Sequence, residues 1–226
     1  LADLNNDGYD EIIMGSNTLQ IKEDRIFWND QTGAFDLSIF TSLPNFKTYD
    51  GYELNDTLAT LETDINYDGL IDIVMSKSER YLGKGLQFLI NNGDKTFSDE
   101  TEYYSPWWKM ETIVTSYAAG IPYQIKEIDI NNDGLLDIKL NYDKETDWVN
   151  GAFQIYSHFL IKQEDGSYEE LPPETLSQAG WFWIIDYDED GDVDLINRRS
   201  KFQGRADGSK ISDEIFEWRI LENESL

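Results

Sequence analysis

The sequence contains no cysteine and only one histidine among its 226 residues. The absence of cysteine excludes disulfides, thiolate nucleophiles and cysteine-ligated zinc or iron–sulfur sites. There is also no apolar run of about 18 residues, so we expect no membrane insertion. No signal peptide is recognisable. Because the sequence opens inside a repeated motif, we expect any leader to lie upstream.

Basic residues are scarce. Lys and Arg together number 18 against 45 Asp and Glu, which gives a formal net charge of -27. Such acidity argues against nucleic acid and anionic membranes as partners, because like charges repel, and it favours bound cations. The hydrophobic share of 40% and the aromatic share of 14% allow a sizeable core. The length suits one large all-β domain or two small ones.

An acidic stretch of ten residues occurs four times, roughly once every sixty residues. The copies are DLNNDGYDEI (3–12), DINYDGLIDI (64–73), DINNDGLLDI (129–138) and DYDEDGDVDL (186–195). The first three are each followed by an apolar stretch, a polar turn and an aromatic residue; these segments are 26–36, 87–99 and 158–170. The repeat units are approximately 1–50, 51–115, 116–176 and 177–226, the first and last incomplete.

Each unit is predicted to form four short strands with Asn-Gly or Asp-Gly type turns. Four-stranded repeats of this length are typical of β-propeller blades. The sequence therefore predicts an all-β fold, with residues 1–226 forming one β-propeller segment of about four blades. The first unit lacks the strand before its acidic stretch, and the fourth lacks its last strand. We therefore expect the rest of the propeller to lie outside this chain.

The acidic stretch has the chemistry of a calcium loop. Its side chains at positions 1, 3, 5 and 9 carry oxygen; in the third copy these are Asp129, Asn131, Asp133 and Asp137. Position 6 is Gly134, which permits a sharp bend. Position 7, Leu135, can offer its backbone carbonyl. With one or two waters, this set reaches the roughly 6 to 8 oxygen ligands that Ca²⁺ takes.

Electrostatics favours a bound ion over a metal-free turn. Two carboxylates about 4 Å apart repel by about 4 kcal/mol at an effective dielectric near 20, and a divalent cation reverses that sign. The alternative is a set of metal-free Asx turns, which Asp-Gly and Asn-Gly sequences also form. Mg²⁺ fits less well because it demands rigid octahedral geometry. An EF-hand is excluded, since no copy has Glu at position 12.

The pattern DxNxDGxxD, inside a repeat that also contains hairpins such as NNGDKTFSD, resembles the FG-GAP or VCBS-type repeat of integrin-α-like β-propellers. The resemblance covers nearly the whole chain. It implies a ring of seven or eight blades, with Ca²⁺ in the loop that joins the first two strands of a blade. It also implies up to four Ca²⁺ ions in this chain.

The resemblance carries the metal ligands over by position, the position 7 residue contributing its carbonyl. The first site would use Asp3, Asn5, Asp7, Tyr9 and Glu11. The second would use Asp64, Asn66, Asp68, Leu70 and Asp72. The third would use Asp129, Asn131, Asp133, Leu135 and Asp137. The fourth would use Asp186, Asp188, Asp190, Asp192 and Asp194. We expect the first site to be weakest, because Glu replaces Asp at position 9, and the fourth to be tightest.

The sequence offers no catalytic residue that we can single out. His158 and Ser157 are neighbours in a predicted strand and therefore face opposite sides, which rules out a hydrogen-bonded dyad. Trp107 and Trp108 lie in a long connection between the second and third units. They are candidate ligand contacts, because paired tryptophans can stack on a sugar or anchor a protein; the alternative is that they cap a blade edge.

The leading hypothesis is a propeller segment in which Ca²⁺ is structural and which binds a protein or glycan ligand in adhesion. The alternative is the propeller domain of a calcium-dependent polysaccharide lyase or another extracellular carbohydrate-active enzyme. Millimolar Ca²⁺ is normally met outside cells, so we expect a secreted or cell-surface protein, or a periplasmic one.

Overall fold

The computed structural model describes residues 1–16, 23–32, 34–51, 53–79, 82–106, 121–147, 152–171, 181–189, 194–201 and 215–221. Within these ranges the chain forms fourteen strands and one short helix, α1 (Thr101–Tyr104). The helix follows the second hairpin and was not expected from the sequence. None of the helices in the described part of the chain has the length and apolar character that crossing a bilayer requires.

The described strands form four antiparallel sheets, called blades 1 to 4 here, each built from strands consecutive in sequence. Blade 1 contains β1 (Ile12–Met14), β2 (Arg25–Phe27) and β3 (Phe40–Ser42). Blade 2 contains β4 (Asp56–Thr63), β5 (Asp72–Glu79), β6 (Leu82–Asn91) and β7 (Phe97–Asp99). Blade 3 contains β8 (Ile121–Ile128), β9 (Asp137–Asp147), β10 (Ala152–Lys162) and β11 (Tyr168–Glu170). Blade 4 contains β12 (Trp181–Ile185), β13 (Asp194–Lys201) and β14 (Ile215–Leu221).

This architecture confirms the prediction of an all-β fold made of propeller-type blades. Each sheet is an antiparallel meander, and in the two four-stranded blades the spatial order follows the chain order. The described residues form no closed ring, so the total number of blades stays a prediction.

Blade 2 is apolar on both faces because it lies between blades 1 and 3. Successive side chains of a strand point to opposite faces. In β5, Val74 joins the core shared with blade 3, while its neighbours Ile73 and Met75 join the core shared with blade 1. All three are 0% exposed. Burying an aliphatic side chain of this size contributes about 1.5–3 kcal/mol, so these strands anchor both interfaces.

Aromatic residues complete the interface between blades 2 and 3. The Phe88 ring stacks on Tyr104 of α1 with ring centroids 5.6 Å apart, and it lies 5.5 Å from the Tyr168 ring. Tyr168 and Phe97 are the aromatic residues that follow the predicted hairpin turns, and both are buried. The corresponding Phe35 of the first unit is half-buried. The aromatic of the repeat is therefore a core position in blades 2 and 3.

The four acidic stretches occupy corresponding places in the blades. We call them loops 1 to 4 and number their positions from the first aspartate. Loops 2, 3 and 4 each join the first two strands of their blade, and loop 1 leads into β1. At the start of loop 1 the backbone N–H of Glu11 donates to the Ala2 carbonyl (2.8 Å). The fold thus places all four candidate sites at equivalent blade ends.

Candidate metal sites in the repeated loops

The carboxylate at position 1 organises loops 1, 2 and 3 in the same way. In loop 2, Asp64 Oδ1 accepts the backbone N–H of Asp68 (3.0 Å) and Oδ2 accepts that of Gly69 (2.8 Å). Asp3 makes the two corresponding contacts at 3.0 and 2.8 Å, and Asp129 makes them at 3.1 and 2.9 Å. Both oxygens of position 1 therefore face the inside of a tight turn.

Positions 3 and 5 add two further oxygens to the same turn. In loop 2, Asn66 Oδ1 also accepts the Asp68 N–H (3.0 Å), and Asp68 Oδ1 accepts the Leu70 N–H (2.9 Å). The other amide atom of Asn66, Nδ2, donates to Asp68 Oδ2 (2.9 Å). Loop 3 repeats this last bond between Asn131 and Asp133 at 2.9 Å. A cation bound by positions 3 and 5 would compete with it.

The backbone of the loops turns through two residues with positive φ. Position 6 is glycine with φ of 89° at Gly8, 88° at Gly69 and 83° at Gly134, a conformation that side chains disfavour. Position 4 is also left-handed, although none of its residues is glycine; these are Asn6, Tyr67, Asn132 and Glu189. The glycine was predicted from the sequence. The strain at position 4 was not, because tyrosine and glutamate rarely adopt it.

The acidic residue at position 9 is buried in every loop. Glu11, Asp72 and Asp137 are 0% exposed and Asp194 is 1% exposed. In loop 2, Asp72 Oδ2 accepts the N–H of Ile65 at position 2 (2.9 Å). The other oxygen, Oδ1, accepts the N–H of Asn91 at the end of β6 (2.8 Å). Position 9 therefore fastens the loop to the third strand of its own blade.

Burial raises the pKa of these carboxyl groups. The pKa of Asp72 is raised to about 6 by desolvation first and by the charges of Asp68 and Asp64 second, against two backbone N–H donors that lower it. The pKa of Asp137 is raised to about 6 by the same causes, with Asp133 and Asp129 as the neighbouring charges. Desolvation also raises the pKa of Glu11. Burial and the neighbouring acids therefore disfavour the ionised form of the position 9 carboxyl groups.

Loop 4 brings three carboxylates into one cluster. Ligand oxygens of Asp186, Asp188 and Asp194 all lie within 4.8 Å of one another. The N–H of Tyr187 donates to Asp194 Oδ2 (2.7 Å), as position 2 does in the other loops. Asp190 and Asp192, predicted as ligands of this site, lie outside the described residues. So do Trp107 and Trp108.

The donor set of the loops fits a hard divalent cation. Its side-chain donors are carboxylate and amide oxygens, which suit Ca²⁺ and Mg²⁺ rather than a soft metal. Among the described residues, three acidic groups come within 4.8 Å of one another in loop 4 but not in loops 1 to 3, where the candidate donors stand at positions 1, 3, 5 and 9 of each loop. The position 7 residues Tyr9, Leu70 and Leu135 follow the glycine of each turn.

His158 and Ser157 have separate partners, as the strand geometry predicted. His158 Nδ1 contacts Glu170 Oε1 across β10 and β11. Ser157 Oγ donates to Asn141 Oδ1 (2.6 Å) on the adjacent strand. The two side chains therefore do not form a nucleophile–base pair with each other.

Comparison with known families identifies a repeat in the centre of the chain. Residues 64–140 match the family described as FG-GAP-like repeat. The matched segment begins at Asp64, contains the last three strands of blade 2 and includes the whole of loop 3. No curated protein matches the chain in sequence. The segment from loop 2 to loop 3 thus matches an FG-GAP-like repeat, which confirms over these residues the resemblance seen in the sequence.

Proposed function

We propose that the chain is a calcium-stabilised β-propeller segment of a secreted or cell-surface protein, and that it acts in binding or adhesion. The observation that carries this proposal is the buried acid at position 9. In loops 2 and 3 the charges of two further carboxylates of the same loop help to raise its pKa, and in loop 4 three carboxylates converge within 4.8 Å. A fold that gathers so much negative charge without a basic partner in the turn favours a cation.

The raised pKa values of Asp72 and Asp137 support the same conclusion. Each carboxyl is pushed toward its neutral form by burial and by its acidic neighbours. A divalent cation supplies the opposite charge and favours the ionised form of every carboxylate around it. The loops are therefore better suited to the metal-bound state at neutral pH than to the metal-free state.

A stabilising role for Ca²⁺ follows from the position of the loops. Loops 2 and 3 each join the first two strands of a blade, and their position 9 acids also reach the third strand. Ca²⁺ at 100 times its dissociation constant would add about 2.7 kcal/mol per site. Several such sites rival the whole net stability of a domain. Extracellular Ca²⁺ is abundant, which supports export.

The ligand of the segment is proposed to be a protein or a glycan. Exposed aromatic side chains occur on the loop end of the blades, where Tyr9 is 44%, Tyr67 54% and Tyr187 55% exposed. Aromatic rings with a polar handle suit such contacts. Trp107 and Trp108 stay candidate contacts from the sequence. Glycan-array binding of the wild type and of the Trp107→Ala and Trp108→Ala variants tests them, and unchanged binding would reject that assignment.

The structural role of Ca²⁺ is tested by thermal unfolding of the whole chain. We expect the melting temperature to fall in EDTA and to recover when Ca²⁺ is restored in excess. A matched variant, Asp64→Asn with Asp68→Asn, should lose part of the Ca²⁺-dependent gain, because it removes the negative charge of two predicted ligands of loop 2. Identical melting curves with EDTA and with Ca²⁺ would refute the proposal.

A further inference from the structure

The position 9 carboxylates of loops 2 and 3 are joined by buried hydrogen bonds that pass from one blade to the next. Asp137 Oδ1 accepts the backbone N–H of Lys162 (2.7 Å). The side chain of Lys162 then crosses to blade 2, where Nζ donates to the carbonyl of Ile65 in loop 2 (2.5 Å). The N–H of Ile65 donates to Asp72 Oδ2 (2.9 Å). Three bonds thus connect one acid to the next.

Three equivalent hydrogen bonds connect loop 2 to loop 1. Asp72 Oδ1 accepts the backbone N–H of Asn91 (2.8 Å). Asn91 Nδ2 donates to the carbonyl of Leu4 in loop 1 (2.7 Å), and the N–H of Leu4 donates to Glu11 Oε2 (2.8 Å). Asn91 and Lys162 hold equivalent places in their blades, each as the last residue of the third strand. We call the six bonds together the inter-loop path.

The inter-loop path is shielded from water along its length. Its seven residues are each 3% exposed or less; they are Leu4, Glu11, Ile65, Asp72, Asn91, Asp137 and Lys162. Hydrogen bonds in such surroundings are electrostatically stronger than in water, and a group that loses its partner is costly. A displacement of the Asp72 carboxylate would therefore weaken its hydrogen bonds to the N–H donors on both of its sides.

Three further contacts between neighbouring blades lie beside the path. Asn6 Nδ2 of loop 1 donates to the carbonyl of Gly69 in loop 2 (2.9 Å). Tyr67 of loop 2 lies under the Lys162 ammonium, with Nζ 4.1 Å from the ring centroid. Its hydroxyl oxygen accepts the N–H of Leu136 in loop 3 at 3.4 Å. Neighbouring loops are thus connected both through the buried path and through contacts nearer the surface.

From this geometry we propose that Asn91 and Lys162 are positioning residues that couple neighbouring loops, so that a divalent cation in one loop raises the affinity of the next. The inference rests on the proposed Ca²⁺ binding and adds its regulation. A cation that orders one position 9 carboxylate also orders the donors bound to it. The side chains of the residues that supply those donors also hold the position 2 peptide of the adjacent loop. The adjacent loop is therefore partly ordered before its own cation arrives, and it loses less conformational freedom when that cation binds.

The test follows each loop separately by NMR. The amide signals of Gly69 and Gly134 report loops 2 and 3 during a Ca²⁺ titration of the whole chain. Loop 3 is disabled with Asp129→Asn and Asp133→Asn. We expect this change to weaken Ca²⁺ binding at loop 2 by about fivefold or more, the lower end of measured couplings. In a Lys162→Met background, disabling loop 3 should alter loop 2 affinity by less than about twofold.

Lys162→Met keeps the backbone N–H that binds Asp137 and removes only the ammonium. Its matched control is Lys77→Met combined with Asp24→Asn, which removes a second buried ammonium outside the path together with the charge of its partner. The control must retain the fivefold effect. If Lys162→Met does not fold, Asn91→Leu tests the link between loops 1 and 2, with loop 1 disabled by Asp3→Asn and Asp7→Asn.

The outcomes separate the two proposals. A Gly69 signal that never responds to Ca²⁺ in the wild type overturns Ca²⁺ binding and the coupling together. A normal response that is indifferent to loop 3 overturns only the coupling. An effect of loop 3 that persists unchanged in Lys162→Met assigns the coupling to other residues and overturns the role of Lys162.

Discussion

The ammonium of Lys77 on β5 forms an ion pair with the carboxylate of Asp24 beside β2, and both side chains are almost completely buried. The pair joins blade 2 to blade 1. Thr57 Oγ1 of β4 takes part in it, since it lies 2.8 Å from Lys77 Nζ and 2.7 Å from Asp24 Oδ1. The N–H of Ser16 also donates to Asp24 Oδ1 (2.6 Å). A charged cluster therefore stands in the buried interface between blades 1 and 2.

Breaking this pair should be costly. We expect Lys77→Met to lower the free energy of unfolding by about 3–5 kcal/mol, because it leaves the charge of Asp24 buried without a partner. Urea denaturation in excess Ca²⁺ measures the loss. Adding Asp24→Asn to Lys77→Met removes that charge and should restore part of the stability. A double variant less stable than Lys77→Met alone would contradict this explanation.

Asp72 and Asp137 should make the metal-free protein sensitive to pH. Their pKa values are about 6 in the folded state against 3.8 for an ordinary aspartate. A carboxyl with a raised pKa binds its proton preferentially when folded. Its contribution to stability is therefore full below about pH 4 and is lost as the pH rises through about 6.

In EDTA, we expect the wild type to lose about 2.5 kcal/mol per group between pH 4 and pH 7, relative to a variant carrying Asp72→Asn and Asp137→Asn. Urea denaturation at intervals across this range measures both proteins, and the comparison cancels the groups they share. Parallel pH profiles for the two would show that these carboxyls do not titrate as described.

Gly134 should be sensitive to substitution for a reason of backbone geometry. Its φ of 83° disfavours any side chain, although no atom lies within 4 Å of where a Cβ would stand. We expect Gly134→Ala to destabilise the Ca²⁺-loaded protein by about 1–2 kcal/mol. The control is Asn132→Gly in the same loop, where φ is 55° and glycine relieves strain. Thermal unfolding that ranks Asn132→Gly as the less stable variant would contradict the prediction.

Loop 1 should bind Ca²⁺ more weakly than loop 3. The longer side chain of Glu11 receives the N–H of Asn29 at 3.4 Å, whereas Asp137 receives that of Lys162 at 2.7 Å. Gln31 Nε2 also donates to Asp7 Oδ2 (3.2 Å), so an oxygen of a predicted Ca²⁺ ligand already has a hydrogen-bond partner. Calorimetric titration should therefore lose a tight site in Asp133→Asn and keep all tight sites in Asp7→Asn. The reverse order would refute this ranking.

The sequence predicted the local parts of the structure well. Positions 1, 3, 5 and 9 of the loops could be read directly, because alternate residues of a tight turn point to one side and glycine marks the bend. The blades followed from the repeat period and the hairpin turns. These features depend on residues within about ten positions of one another, where local chemistry decides the conformation.

The long-range polar contacts could not be predicted in the same way. Lys77 and Asp24 lie 53 residues apart, and neither belongs to the acidic motif. The equivalence of Asn91 and Lys162 is hidden because the residue types differ, although both have a side-chain donor long enough to cross to the preceding blade. An alignment of the three hairpins would have put Asn91, Lys162 and Asn29 at the same position of the repeat. The burial of the position 9 acids could not be predicted either, because it results from the packing of the blades against one another.

The separation of contacts in the sequence has a consequence for how the protein folds. Each blade is a meander whose strands pair with their immediate neighbours, so it can form from short loop closures. The bonds from Asn91 to Leu4 and from Lys162 to Ile65 span 87 and 97 residues. Forming contacts so far apart in the sequence has a larger entropic cost, so we expect the blades to assemble first and to dock afterwards. On the proposed function, Ca²⁺ that the chain meets while it folds would act on the early step, by holding each meander in register.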